Sequence, residues 1–333
     1  MNDRLEPSSP EALLSSNALA GHTSRGAYAA MVAAWGLWSM DSILIHLIGN
    51  DFPRQYLVAI TLLIGGLSMM VMGRGIFKTV LKLSKHHLML LGVLVVFSTA
   101  GAELLYVSAI THMNPALVSV LLRSQVAFAV ILAMLFLGER FGRITASGIV
   151  VILVANAGWL IHNLNQVGWG GSIIGWILAI SAAVLWSLGT ITAKSLVTVI
   201  PPTQLVVARL AFAGVLMFIL SAATQGIAPL AEVTAGQWGL LIAKGTVTSG
   251  MTFFLYFWAL KRMKVCIASA LEQAAPLITL CVAHFVLMER VSTWDVAFVC
   301  VLLIGAGVVV LGSWRERGAL PVQATKEVER EAL

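Results

Sequence analysis

Apolar residues fill this chain in runs of roughly 20, the length at which a helix spans a hydrocarbon core, and short polar stretches separate the runs. The pattern predicts ten membrane helices, over residues 27–48, 56–73, 88–110, 115–136, 144–162, 172–193, 203–224, 237–260, 265–287 and 294–313. Breakers mark the connections: Asn50-Asp51-Phe52-Pro53, Gly168-Trp169-Gly170-Gly171 and Pro201-Pro202. Trp159, Trp169, Trp238, Trp294 and Trp314 fall near the ends of runs, where amphipathic rings sit at headgroup level.

The pattern is written twice. Residues 106–158 lie without gaps on residues 256–308 after a shift of 150 positions. Tyr106, Ala109, Met113, Ser119, Leu121, Ala133, Leu137, Glu139, Arg140, Val151 and Leu153 then meet Tyr256, Ala259, Met263, Ser269, Leu271, Ala283, Leu287, Glu289, Arg290, Val301 and Leu303. Upstream, with small slips, Trp38-Ser39 answers Trp186-Ser187, Gln55 answers Gln204 and Gly65 answers Gly214. The chain therefore divides into a polar N-terminal tail (1–26), a first five-helix repeat (27–162), a second (172–313) and a charged C-terminal tail (314–333). Such units are far longer than solenoid repeats. Because each holds an odd number of helices, the second enters the bilayer from the opposite face, and the repeats are inverted. That architecture lets one half rock against the other around a midplane site.

Composition excludes a soluble globular protein: 59% of residues are hydrophobic and 11% charged, where a soluble domain carries about 25% charge. The net charge of +6 does not imply nucleic acid, because the basic residues occupy short loops without a basic stripe or interleaved aromatics. They orient the chain instead. With the N-terminus inside, the inner loops hold Arg74, Lys78, Lys82, Lys85, Arg140, Arg143, Lys194, Lys261, Arg262 and Lys264, and the outer side receives Arg54 and Arg290. Both termini are then cytoplasmic. Cys266, Cys281 and Cys300 lie in apolar runs without paired spacing, which implies neither a disulfide framework nor a metal site. The first 27 residues lack the apolar core of a cleavable signal peptide.

Each half carries Tyr-x-x-Ala, then a Met, a small-residue helix and Leu-x-Glu-Arg; the second adds Ala275-Pro276 and Leu303-Ile304-Gly305-Ala306-Gly307. On these motifs, residues 27–313 resemble the EamA repeats of the drug/metabolite transporter superfamily, and among them most the YddG-type exporters of aromatic amino acids, which also pass methyl viologen. The resemblance implies an inner-membrane transporter moving an aromatic or bulky apolar amino acid outward.

Polar residues inside the helices mark a candidate substrate site. Helix three carries Thr99, Glu103 and Tyr106 on one face, and helix eight Ser249, Phe253 and Tyr256 at the equivalent places. Helix four offers Ser119 and Arg123; helix nine offers Ser269, Gln273 and Pro276; helices one and six offer Trp38 with Ser42 and Trp186 with Thr190. The aromatic residues would stack on a planar ring or attract a flat cation. A role as interhelical glue stays open for each Ser and Thr.

A charge within the bilayer costs roughly 2.5–3.5 kcal/mol and calls for a partner or a cavity. The inventory is Asp41, Glu103 and Glu272 against Arg123, Arg209 and Lys244, which sums to zero. Glu103 and Arg123 lie equally deep, so they are expected to pair across the helix three–four hairpin, as a structural pair or as partners for a zwitterion. Arg209 and Lys244 are close enough to helix ends to snorkel. Asp41 and Glu272 could titrate and couple transport to protons. Pro276 kinks helix nine, as a packing feature or as a gating hinge. Residues 155–158 and 305–307 are small, and are expected to pack helices five and ten between the halves, or to form dimer contacts.

Other motifs carry no chemistry. His46 and Asp51 share an acyltransferase spacing that arises easily by chance, Gly168-Trp169-Gly170-Gly171 lacks the flanks of a phosphate loop, and His86-His87 is no ligand set. The expectation is an all-α membrane transporter of ten helices, not an enzyme, without cofactor or metal, taking an amino acid or flat organic cation, as a monomer or homodimer in membrane lipid. A multidrug or other metabolite carrier is the alternative, and a lipid-modifying membrane enzyme the alternative from another class.

Overall fold

The computed structural model describes residues 10–49, 52–113, 118, 121–167, 172–285 and 292–331. The regular elements among them are all helical. In the first half these are α1 (Pro10–Ser39), α2 (Asp41–Ile48), α3 (Arg54–Met70), a short α4 (Ile76–Leu81), α5 (Lys85–His112), α6 (Gln125–Leu137) and α7 (Arg143–Val167). The second half gives α8 (Ile173–Leu196), α9 (Pro202–Gln225), α10 (Ala235–Leu260), α11 (Val265–Leu271), α12 (Ala275–Phe285) and α13 (Thr293–Glu331). Among the described residues α5, α7, α8, α9, α10 and α13 are long and apolar enough to cross a membrane, and α3 and α6 are shorter apolar helices. The Asn50-Asp51 and Gly168-to-Gly171 breakers, and Glu289-Arg290 of the second motif, lie outside the described residues.

Several helices depart from their expected outlines. The first begins at Pro10 rather than 27, and it breaks at Met40, whose N–H bonds to Leu37 O at 3.1 Å in a tightened turn. Ser39 causes local competition there: its hydroxyl bonds to Trp35 O at 2.9 Å and Ala275 O at 3.2 Å. The last helix continues past 313 to Glu331. Both α5 and α10 widen into a π-helical turn at matching places, Val93–Gly101 and Lys244–Met251. Hydroxyls reach back across each: Thr99 Oγ1 to Leu94 O at 2.7 Å, and Thr252 Oγ1 to Val247 O at 3.0 Å. Such turns mark functional positions more often than ordinary helix does.

Pro276 cannot donate to the carbonyl four residues back, and a 3₁₀ turn, Glu272–Ala274, separates α11 from α12 just ahead of it. The first half breaks at the same place without a proline. There the N–H of Ser124 bonds to Leu121 O at 3.0 Å and that of Val126 to Arg123 O at 3.3 Å, while the Ser124 hydroxyl donates to Leu121 O at 2.7 Å.

The helices pack as two interlocked sets that exchange under the repeat. α1 lies on α10 as α8 lies on α5; α3 lies on α10 as α9 on α5; α1 meets α12 as α8 meets α6. Across the middle, α3 packs on α9 and α7 on α13, each a pair of repeat mates, and α6, whose own mate is α12, packs on α11. Glycine permits two of these contacts. A Cβ on Gly66 would stand 2.7 Å from Ala211 N, and one on Gly214 2.7 Å from Leu63 N. Between α7 and α13, Gly148 abuts Gly305 O at 2.8 Å by the same measure. Of the expected small residues Gly305 and Gly158 are in this seam, whereas Gly307 meets nothing within 4 Å.

The glutamate of the first Leu-x-Glu-Arg motif has a structural task. Glu139 accepts the N–H of Val265 at 2.7 Å and of Cys266 at 3.3 Å, placing a carboxylate on the positive N-terminus of α11. Beside it Lys264 bonds to Arg140 O at 2.9 Å and Glu316 at 3.4 Å, and Glu316 takes Gly142 N and Thr145 Oγ1, both at 2.7 Å. These bonds tie the helix ends together on the side of the bundle that carries the basic loops.

Candidate functional site

Between the interlocked sets lies a cavity of about 640 Å³, reaching from the bundle centre to Arg54 and Asn163 at the helix ends opposite Glu139. All six embedded charges line it: Asp41, Glu103, Glu272, Arg123, Arg209 and Lys244. Its aromatic wall consists of Trp35, Trp38, Tyr106, Trp159, Trp186, Phe253 and Tyr256. Trp38 touches Phe253 with ring centroids 4.9 Å apart and Tyr256 at 6.0 Å; across the cavity Tyr106 meets Trp186 at 5.6 Å. Thr190 Oγ1 and Tyr256 OH share a hydrogen bond of 3.1 Å.

Trp38, Asp41, Glu103, Tyr106, Arg123, Trp186, Thr190, Phe253, Tyr256, Glu272 and Pro276 all line this one cavity. Three candidates do not reach it. Thr99 is 2% exposed and accepts Arg209 Nε at 2.9 Å, so the arginine stands at the wall in its place. Ser269 is buried, and Gln273, in the 3₁₀ turn before Pro276, turns towards α7, where Asn156 Nδ2 bonds to its Oε1 at 3.4 Å. Ser119 and the side chain of Ser42 lie outside the described residues.

The charge pairing differs from the expected one. Glu103 and Arg123 form no ion pair within 4 Å. Equal depth fixes height but not direction: Arg123 lies 5.9 Å from the Trp159 ring and interacts with Glu272, while Glu103 interacts with Lys244, Asp41 and Arg209. Neither Lys244 nor Arg209 snorkels, since each is 6% exposed. Lys244 Nζ bonds to Asp41 Oδ1 at 2.6 Å, and Thr248 Oγ1 adds a second bond to the same oxygen at 2.5 Å. Arg209 sits against Phe253, 4.1 Å from the ring centroid. A counter-charge and an aromatic face inside the bundle are nearer than the headgroups. The zero sum of embedded charges was the signal that these two cations belong to the site.

A crystal structure of a protein is similar over 87% of this chain and 98% of its own, with a TM-score of 0.72 and 22% sequence identity, a likeness of fold alone. No curated protein matches the chain. The family model of EamA-like transporters matches twice, over residues 25–159 and 173–311, one match per repeat. The chain belongs to the EamA-like transporter family.

Proposed function

We propose that the protein is an inner-membrane exporter of aromatic or bulky apolar amino acids, built of ten spanning helices in two inverted repeats and working by alternating access. One observation carries this reading: every charge within the bilayer, three of each sign, faces a single aromatic-walled cavity between the interlocked halves. Its volume falls in the range of pockets that enclose one small ligand. Both signs suit a zwitterion, and the rings suit its side chain. The distribution of Lys and Arg supports cytoplasmic termini, which makes the open end external and the end tied by Glu139 internal. Pro276 then serves as a gating hinge, with Asp41 and Glu272 as the carboxylates through which protons would couple. Counterflow of labelled phenylalanine and tryptophan in proteoliposomes tests the proposal. Uptake above protein-free vesicles is expected, and its response to a pH gradient separates proton coupling from facilitated movement. No counterflow of either amino acid would refute the substrate assignment.

A further inference from the structure

We propose that Arg209 is the anchor for an anionic group of the transported molecule, a carboxylate if the amino-acid reading above, on which this refinement rests, is right. Four cations line the cavity. Lys244 is neutralised by Asp41 at 2.6 Å, and Arg54 is exposed at the rim. Arg123 is only half-buried, lies 5.9 Å from the Trp159 ring, and has no hydrogen bond to fix it among the described residues. Arg209 alone combines deep burial with a fixed orientation and no carboxylate within 4 Å among the described residues.

Its orientation is set from two sides. Thr99 gives its own hydroxyl hydrogen to Leu94 O at 2.7 Å, a carbonyl of the π-helical turn, so its oxygen is free to accept Arg209 Nε at 2.9 Å. Phe253 covers the guanidinium at 4.1 Å, with Phe257 at 5.7 Å. The two terminal nitrogens then have no hydrogen-bond partner among the described residues. A planar fork held in this way matches a carboxylate through two parallel bonds, which an ammonium cannot do. An unpaired guanidinium at this depth is costly unless water or an anion meets it, and the cavity admits both. Glu103 interacts with Arg209 but forms no ion pair with it, and both line the cavity, so a zwitterion's carboxylate and ammonium would each find an opposite charge there.

The test uses purified protein, with phenylpropionate and phenethylamine as probes of charge and phenylalanine for counterflow. Affinity is measured by calorimetry for the native chain, Arg209→Gln, Arg209→Lys and Thr99→Val. Arg209→Gln should weaken phenylpropionate by roughly 10- to 100-fold, the worth of a charged hydrogen-bonded pair, and so abolish the preference for the anion over phenethylamine. Thr99→Val keeps the charge but frees the guanidinium; it should reduce the same preference by a few fold, which a merely structural role would not do. Arg209→Lys should fall between native and Gln. Equal losses for both probes, or none for either, would overturn the assignment. Should phenylpropionate bind through Arg209 while phenylalanine is not carried, the amino-acid reading falls and the anchor stands. If Arg209→Gln carries phenylalanine at the native rate and affinity, the anchor falls and the amino-acid reading stands.

Discussion

Replacing Lys244 by Met, and separately Asp41 by Asn, removes one member of a pair whose partner stays in the bundle. The two atoms are 2.6 Å apart, with side-chain exposures of 8% and 25%. At an effective dielectric of about 20 their gross attraction is about 6 kcal/mol, most of it offset by desolvation. Breaking such a buried pair costs about 3–5 kcal/mol. Asp41 is a quarter exposed to the cavity and keeps Thr248 as a donor, so about half that value, roughly 2 kcal/mol, is expected for Lys244→Met after screening. In a chain of this size that lowers the melting temperature by about 3 °C, measurable by light-scattering or size-exclusion thermal shift in detergent. The double variant, with Asn facing Met, should recover at least half of the loss, because neither site then holds an orphaned charge. If the two single losses simply add in the double variant to within about 0.5 kcal/mol, the pair contributes nothing as a pair and its placement is wrong.

Gly66→Ala should destabilise by about 1–3 kcal/mol, since the added Cβ would meet backbone 2.7 Å away in α9 and not a yielding side chain; an unchanged thermal shift would refute the contact. Glu139→Gln should cost about 0.5–1 kcal/mol by removing charge from the N-terminus of α11, and Glu139→Ala more, read by the same assay; equal effects would mean that the charge is irrelevant. Pro276→Ala restores the missing N–H at the α11–α12 break and should slow phenylalanine counterflow several-fold with little change in binding. An unaltered rate disposes of the hinge.

The apolar helices, their duplication and most of the cavity's aromatic wall were legible because hydrophobic run length and repeat spacing are one-dimensional signals. Trp38, Tyr106, Trp186, Phe253 and Tyr256 follow from aligning the halves, and all five line the cavity. What sequence could not supply was rotation about each helix axis. Glu103 and Arg123 were matched by depth, yet Arg123 faces Trp159 and Glu272. Nor could it show the π-helical turns in α5 and α10 or the break at Met40. These depend on which carbonyl a hydroxyl captures, as Thr99 and Ser39 do, and no residue pattern announces that choice.

The duplication also explains why the Asp41–Lys244 pair is there at all. Under the repeat Asp41, Lys244 and Thr248 answer Gly189, Leu94 and Ser98. The second trio is a plain packing contact: a Cβ on Gly189 would stand 2.7 Å from Ser98 Cβ, with Leu94 at 3.7 Å. The fold therefore has an uncharged way to join these helices and uses it once. Where the sister contact is dry, the charged one lines the cavity, and charges at that depth are expensive to keep. A structural need would have been met by glycine and leucine on both sides. Asp41 and Lys244 instead line the cavity together with Glu103 and Arg209, which is where a charged contact finds a use that a packing contact does not.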